Sequence, residues 1–127
     1  MIDKVGAIII KDGKMLVARE NGKHLFFIPG GRREGEETDE QCLRREIREE
    51  LGTSVKTMKF YKEFVAKASL DKGMVKVRSY FCKLENVPTP CGEIEELTWI
   101  DSVFDKNLIG NVLKAMIPHL KENGHIN

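Results

Sequence analysis

A chain of 127 residues with 41% hydrophobic and 32% charged residues has the composition of one ordinary globular domain, which excludes a two-domain enzyme. The formal net charge of +1 gives no reason to expect non-specific binding to DNA or membranes. The longest apolar run, Val5 to Ile10, is too short to cross a bilayer, and the N-terminus lacks the pattern of a signal peptide. We therefore expect one domain over residues 1–127, located in the cytoplasm.

The N-terminal quarter of the chain predicts a hairpin and a short strand. Apolar residues from Val5 to Arg19 lie on both sides of Asp12-Gly13, a pattern typical of a β-hairpin. The apolar stretch Leu25 to Ile28 ends at Pro29-Gly30-Gly31. We interpret this stretch as a strand that passes into a loop.

A helix is predicted between Thr38 and Gly52. Thr38 and Gln41 form a capping box, and Gly52 can take the left-handed conformation that ends many helices. One side of this helix is apolar and should face the core. Its members are Leu43, Ile47 and Leu51.

The C-terminal half predicts a longer hairpin from two β-rich segments, Val55 to Ala68 and Met74 to Leu84. A short strand from Leu97 to Ile100 follows. From Asp105 onward, apolar residues recur at three- and four-residue steps, which indicates a closing helix that Pro118 should bend or shorten. This order of elements predicts a mixed sheet with helices packed on its two faces.

Three carboxylates share one face of the predicted first helix. Glu46, Glu49 and Glu50 are spaced i, i+3, i+4, which places them on a face about 100° wide. Like charges at this spacing repel one another, and a hard divalent cation such as Mg²⁺ would relieve the repulsion. The alternative is a solvated acidic face that pairs with the arginines of the same helix. These residues alone leave both interpretations open.

Residues 31–52 resemble the signature of the Nudix hydrolases. Gly31 is followed by five residues, Glu37, seven residues and then Arg45-Glu46-Ile47-Arg48-Glu49-Glu50-Leu51-Gly52. The one departure is Thr53, where the family usually has an aliphatic residue. The resemblance implies a single-domain α/β/α sandwich with a mixed β-sheet. It also implies hydrolysis of a nucleoside diphosphate derivative by water, with Mg²⁺ or Mn²⁺ as the cofactor.

The resemblance also implies roles for individual residues. The metal ligands would be Glu46, Glu49, Glu50 and the carbonyl of Gly30, and the three glutamates are candidate catalytic residues as well. Arg45, which we group with the catalytic residues, would hold the loop onto the helix together with Glu37. Gly31 and Gly52 would serve the structure of the motif.

A further acid is expected after the loop that precedes the last strand. Family members differ in which carboxylate acts as the base, and here a later acid would come from residues 93–96. Glu93 has the preferred spacing, and Glu96 is second; both are also candidates for substrate binding. Arg19, at the end of the first hairpin, resembles a phosphate-contacting arginine of the triphosphatase branch. The alternative for residues 93–96 is an acidic cluster that is only solvated. The alternative for Arg19 is a solvated charge at the end of a strand.

The substrate class is narrowed only by what the sequence lacks. Ala68 stands where a proline would suggest ADP-ribose, and residues 69–71 lack the tyrosine that would suggest dinucleoside polyphosphates. Small nucleoside triphosphates, including oxidised or non-standard ones, remain the largest class. The alternatives are hydrolysis of ADP-ribose, nucleotide sugars or dinucleoside polyphosphates, or a non-catalytic nucleotide sensor. We expect no polymeric nucleic acid or membrane as a partner, and a homodimer stays open.

Overall fold

A computed structural model describes all 127 residues as two sheets and two helices. The strands are β1 (Ile2–Ile8), β2 (Ile10–Lys11), β3 (Lys14–Glu20), β4 (Gly30–Arg32), β5 (Val55–Lys67), β6 (Met74–Leu84) and β7 (Ile94–Ile100). The helices are α1 (Asp39–Leu51) and α2 (Asn111–Glu122), and a 3-10 turn spans Lys106–Leu108. Neither helix is long and apolar enough to span a lipid bilayer.

The larger sheet is mixed, as the sequence predicts. Its four strands run in the order β4-β1-β6-β5, with β1 parallel to β6 and the other pairs antiparallel. The smaller sheet contains β2, β3 and β7 and is antiparallel. This second sheet is not predicted by the sequence.

The structure confirms the turn and the second strand of the first predicted hairpin, but its first strand is different. Asp12 and Gly13 have φ of 52° and 74° and form the tight turn between β2 and β3. The preceding strand, β1, lies instead in the other sheet between β4 and β6. Its residues are buried on both faces, because Val5 packs with one core cluster and Ile8 with the other. A strand that is buried on both faces occupies the centre of a sheet.

The predicted strand at residues 25–28 is wrong, since Phe26 and Phe27 form only isolated bridges. The strand begins at Gly30, where the sequence predicts a loop, and Gly30 pairs with Gly6. Gly30 has a φ of 141°, and a Cβ atom there would lie 2.0 Å from the Val5 carbonyl oxygen. Only glycine permits this close approach of two backbones, so β4 can begin at Gly30 beside Gly6.

Helix α1 confirms the predicted caps and core face. Thr38 accepts a hydrogen bond from the Gln41 backbone N–H while the Gln41 side chain accepts one from the Thr38 N–H, and Gly52 is left-handed with φ of 65°. The predicted apolar stripe is buried, together with Cys42. Thr53, which departs from the family pattern, is 6% exposed, and its hydroxyl accepts a hydrogen bond from the Asn86 N–H at 3.0 Å.

The longer hairpin is confirmed by the pairing of β5 with β6, but the last two elements differ from the prediction. Strand β7 begins at Ile94, so Glu95 and Glu96 belong to the strand. Helix α2 begins six residues after Asp105, because Ile109 is extended and bridges Phe26. The helix continues through Pro118, which is exposed and does not shorten it.

The helices cover opposite faces of the mixed sheet, as predicted. Val5 and Ala7 of β1 pack in a cluster with the buried side of α1. Ile8, whose side chain points the other way, packs in a second cluster with the buried side of α2. The ends of β4 and α1 therefore meet on one face of the sheet, and α2 closes the other.

Asp39, at the start of α1, pairs with two arginines, Arg33 and Arg78. Its carboxylate accepts hydrogen bonds from Arg33 at 2.8 Å, from Arg78 at 2.7 Å and from the Tyr80 hydroxyl. Partial burial alone would raise the pKa of Asp39, but the hydrogen bonds from Tyr80, Arg78 and Arg33 outweigh it and lower the pKa to about 2. The network fixes the first turn of α1 against β6.

Replacement of Asp39 by Asn should lower the free energy of unfolding at pH 7 by about 2 kcal/mol. A lowered pKa means that the stabilisation is complete above the ordinary pKa of an aspartate and is lost as the pH falls through the folded-state value, so the two proteins should converge between about pH 5 and pH 2. Urea unfolding at pH 7, 4 and 2.5 measures this convergence. A difference that does not change with pH would contradict an ionic origin.

Candidate active site

Arg45 connects the loop after β4 to helix α1. Its Nε and Nη2 atoms donate to Glu37 at 2.8 and 2.9 Å, and Nη2 also donates to the Arg32 carbonyl at 3.1 Å. Nη1 donates to Glu46 at 2.8 Å. The hydrogen bond from Arg45 is the main reason that the pKa of Glu37 falls to about 2. These contacts fit the positioning role that the resemblance implies for Arg45 and Glu37.

Glu46 lies flat against the backbone of β4. A Cβ atom on Gly31 would lie only 2.6 Å from the Glu46 Cδ atom, so the glycine provides the space for this carboxylate. The Glu46 side chain is 15% exposed. Burial raises the pKa of Glu46, the hydrogen bond from Arg45 opposes the rise, and the nearby charge of Glu49 adds to it.

Glu50 is held by the strand that begins at Gly30. The Gly30 backbone N–H donates to the Oε1 atom of Glu50 at 2.9 Å. Loss of surrounding water raises the pKa of Glu50 to about 8, and the negative charges of Glu46 and Glu20 contribute to the rise. The hydrogen bond from Gly30 opposes it. Without a cation, Glu50 therefore binds a proton more tightly than an ordinary glutamate does.

Glu49 is the exposed member of the three glutamates, with 58% of its side chain accessible and one contact to Arg45 at 3.4 Å. The three side chains do not converge, and no group of three or more Asp, Glu, His or Cys side chains has a metal-holding arrangement. The donor set nevertheless fits Mg²⁺, because it consists of carboxylate oxygens. Burial is the main reason that the pKa values of Glu46 and Glu50 are raised, and a bound cation would favour the ionised form of both carboxylates. The carbonyl of Gly30 as a ligand stays a prediction.

A cavity of about 190 Å³ opens beside Glu50 and reaches from β4 to the start of α2. Its wall includes the Phe27 ring and Asn111. Six charged residues also line it: Lys4, Glu20, Lys23, Glu50, Lys67 and Asp71. The mixture of apolar wall and convergent charged groups is typical of a site for a small charged ligand.

Of the predicted site residues, Gly30, Gly31 and Glu50 line this cavity, whereas Arg19, Glu93 and Glu96 do not. Arg19 donates to Glu96 and Glu95, both at 3.1 Å, and to the Lys23 carbonyl at 2.8 Å. Glu93 is exposed and lies just before β7. The structure thus brings Arg19 and Glu96 together, outside the lining of the cavity that contains Glu50. Their roles in substrate binding, and that of Glu93 in catalysis, stay predictions.

Sequence reasoning missed Glu20 and Lys23, which do line the cavity. Glu20 is the last residue of β3 and follows Arg19 directly. The pairing of β3 with β7 shifts register between Arg19 and Glu20, and the sequence carries no signal of this irregularity.

Comparison with known proteins gives a family match over most of the chain. Residues 2–102 match the model of the NUDIX domain. The CTP pyrophosphohydrolase of Escherichia coli (strain K12) is 45% identical over 56 residues, which cover 41% of this chain and 42% of that relative. The matched stretch thus spans less than half of the curated relative.

Solved structures extend the likeness to the whole fold. The solution structure of the E. coli ORF135 protein has a TM-score of 0.69 and 25% identity, and the match covers 100% of this chain and 95% of that one. A NUDIX hydrolase from Nitrosomonas europaea has a TM-score of 0.78 and 16% identity, with 98% of this chain and 90% of that chain covered. At the lower identity the likeness supports the shared fold alone.

Proposed function

The chain belongs to the NUDIX family, and from that premise we propose that it hydrolyses the diphosphate linkage of a nucleotide with the help of a divalent cation. The observation that carries the proposal is the position of Glu50. This carboxylate is anchored by the Gly30 N–H at the wall of the cavity and has a pKa raised to about 8. Strongly perturbed carboxylates in clefts are typical of functional sites.

The proposed substrate is a nucleoside triphosphate, with CTP as the first to test. The E. coli relative is a CTP pyrophosphohydrolase and aligns with less than half of this chain. The cavity volume of about 190 Å³ is enough to hold part of a nucleotide. Oxidised triphosphates, ADP-ribose, nucleotide sugars and dinucleoside polyphosphates belong in the same panel.

The proposed reaction adds water to a phosphorus atom of the α–β bridge. The bridging P–O bond breaks, a nucleoside monophosphate and pyrophosphate leave, and the proton of the water passes to a carboxylate of the site. Mg²⁺ held by Glu46, Glu49 and Glu50 would neutralise phosphate charge and lower the pKa of the attacking water. Arg45 keeps Glu46 against β4, and the Gly30 N–H orients the Glu50 carboxylate.

Hydrolysis of CTP should require Mg²⁺ and should stop when excess EDTA is added. Carboxylates and phosphates are both negatively charged, so a cation is needed to bring them together. Phosphorus NMR of the reaction measures this and should show pyrophosphate and a monophosphate as the two products. Restoration by Mg²⁺ after EDTA controls for unfolding. Equal turnover with EDTA would contradict the proposed cation, and a thermal shift with nucleotide but no product from any member of the panel would favour a sensor.

A further inference from the structure

We propose that Lys23 binds the substrate phosphates and that Glu20 holds the Lys23 ammonium at the cavity until they arrive. This inference rests on the proposed function for the identity of the ligand. Lys23 and Glu20 both line the cavity that contains Glu50, and the Lys23 Nζ atom lies 3.1 Å from the Glu20 Oε2 atom. The pair thus places a cation and its counter-charge on the wall of one cavity.

Arg19, the cation that the sequence suggested for this task, is already engaged. Its guanidinium contacts the carboxylates of Glu95 and Glu96 and also donates to the Lys23 carbonyl at 2.8 Å. A phosphate at Arg19 would compete with two carboxylates at once, whereas a phosphate at Lys23 would compete with one. The hydrogen bond from Arg19 to the Lys23 carbonyl positions the backbone of Lys23.

The turn that carries Lys23 is fixed at several points. The Lys23 N–H donates to the Glu20 carbonyl at 3.1 Å, and Gly22 has a φ of 78°, which together define a tight turn. The Asn21 N–H donates to the Glu93 carbonyl at 2.8 Å, and Arg19, which donates to the Lys23 carbonyl, contacts the carboxylates of Glu95 and Glu96. The acidic segment before and within β7 thus anchors this turn.

The ion pair between Glu20 and Lys23 is one that a phosphate can replace. The two side chains are 42% and 47% exposed, and exposed pairs contribute little to stability. A phosphate group offers more negative charge and more acceptor oxygens than one carboxylate. Lys4 and Lys67 also line the cavity, but the structure gives neither of them an ion pair. Lys23 is therefore the cavity cation whose availability depends on a neighbouring acid.

Calorimetric titration of the full chain with inorganic pyrophosphate tests this inference without turnover. Lys23→Met should raise the Kd for pyrophosphate about tenfold, whereas Lys23→Arg should keep most of the affinity. Glu20→Gln should lower the Kd severalfold, and this gain should shrink in the Lys23→Met background because the two residues are coupled. Lys14→Met, at the far end of β3, is the matched control and should leave the Kd unchanged.

The same variants in the CTP assay should show the change in KM rather than in kcat. An unchanged Kd for pyrophosphate in Lys23→Met would overturn the inference, as would a Glu20→Gln variant that binds Mg²⁺ more weakly, since Glu20 would then belong with the metal ligands. The two proposals fail separately. Pyrophosphate binding through Lys23 without hydrolysis of any nucleotide would refute only the proposed function, and hydrolysis that is indifferent to Lys23 would refute only this inference.

Discussion

Replacement of Glu50 by Gln is expected to reduce kcat for nucleotide hydrolysis by about three orders of magnitude. The carboxylate would be lost both as a ligand and as a charged group at the cavity wall. The amide oxygen of Gln can still accept the hydrogen bond that the Gly30 N–H donates to Glu50. The substitution therefore removes the charge while it keeps the shape of the site.

Stability should not explain this loss of activity. Burial raises the pKa of Glu50 to about 8, so the folded metal-free protein holds a proton more tightly than the unfolded chain does. The free energy of unfolding of the metal-free protein should therefore fall as the pH rises from the ordinary pKa of a glutamate to about 8. A Gln at this position does not ionise, so the variant should not lose this stability. Urea unfolding without metal at pH 8 should show a Glu50→Gln variant at least as stable as the parent.

Glu40→Gln is the matched control for this experiment. Glu40 lies on the same helix, is exposed, and pairs only with Arg44 at 3.1 Å. It should retain nearly full activity, because an exposed pair contributes little. A Glu50→Gln variant with near-parental kcat would remove Glu50 from the site, and a comparable loss in Glu40→Gln would indicate a general effect of charge on α1.

Local signals in the sequence predicted the parts of the structure that depend on neighbouring residues. Thr38, Gln41 and Gly52 determine both ends of α1 through hydrogen bonds within a few residues, and the structure has both caps. The Asp12-Gly13 turn is likewise local. The spacing of the glutamates on α1 then follows from helical geometry alone.

Pairing between distant segments could not be predicted in this way. The alternation in β1 is compatible with either sheet, and only contact with β4 and β6 decides between them. The cavity also depends on contacts between distant segments, because Lys4, Glu20 and Asn111 come from three separate elements. The motif on α1 indicated the acidic side of the candidate site, but nothing in one sequence places Glu20 and Lys23 in the wall of the same cavity.

The candidate site depends on the start of β4 at Gly30, where the backbone both pairs with β1 and binds a side chain of the site. Gly30 pairs with Gly6 of the central strand, and its N–H holds the Glu50 carboxylate. The conformation that allows both has a φ of 141°, which L side chains rarely adopt. We therefore expect this glycine to tolerate substitution less well than the other glycines of the loop.

Replacement of Gly30 by Ala should lower the free energy of unfolding by about 3–5 kcal/mol and abolish hydrolysis. The new Cβ atom would lie 2.0 Å from the Val5 carbonyl oxygen, so β4 must move away from β1 and carry the partner of Glu50 with it. Gly35→Ala is the matched control: Gly35 also has a positive φ, of 55°, but no atom lies within 4 Å of the position that the new methyl group would take, and the cost should be about 1 kcal/mol. Urea midpoints of both variants measure the difference. Equal midpoints would show that backbone conformation alone, rather than the contact of β4 with β1, sets the requirement for glycine, and the anchoring of Glu50 by this strand would lose its support.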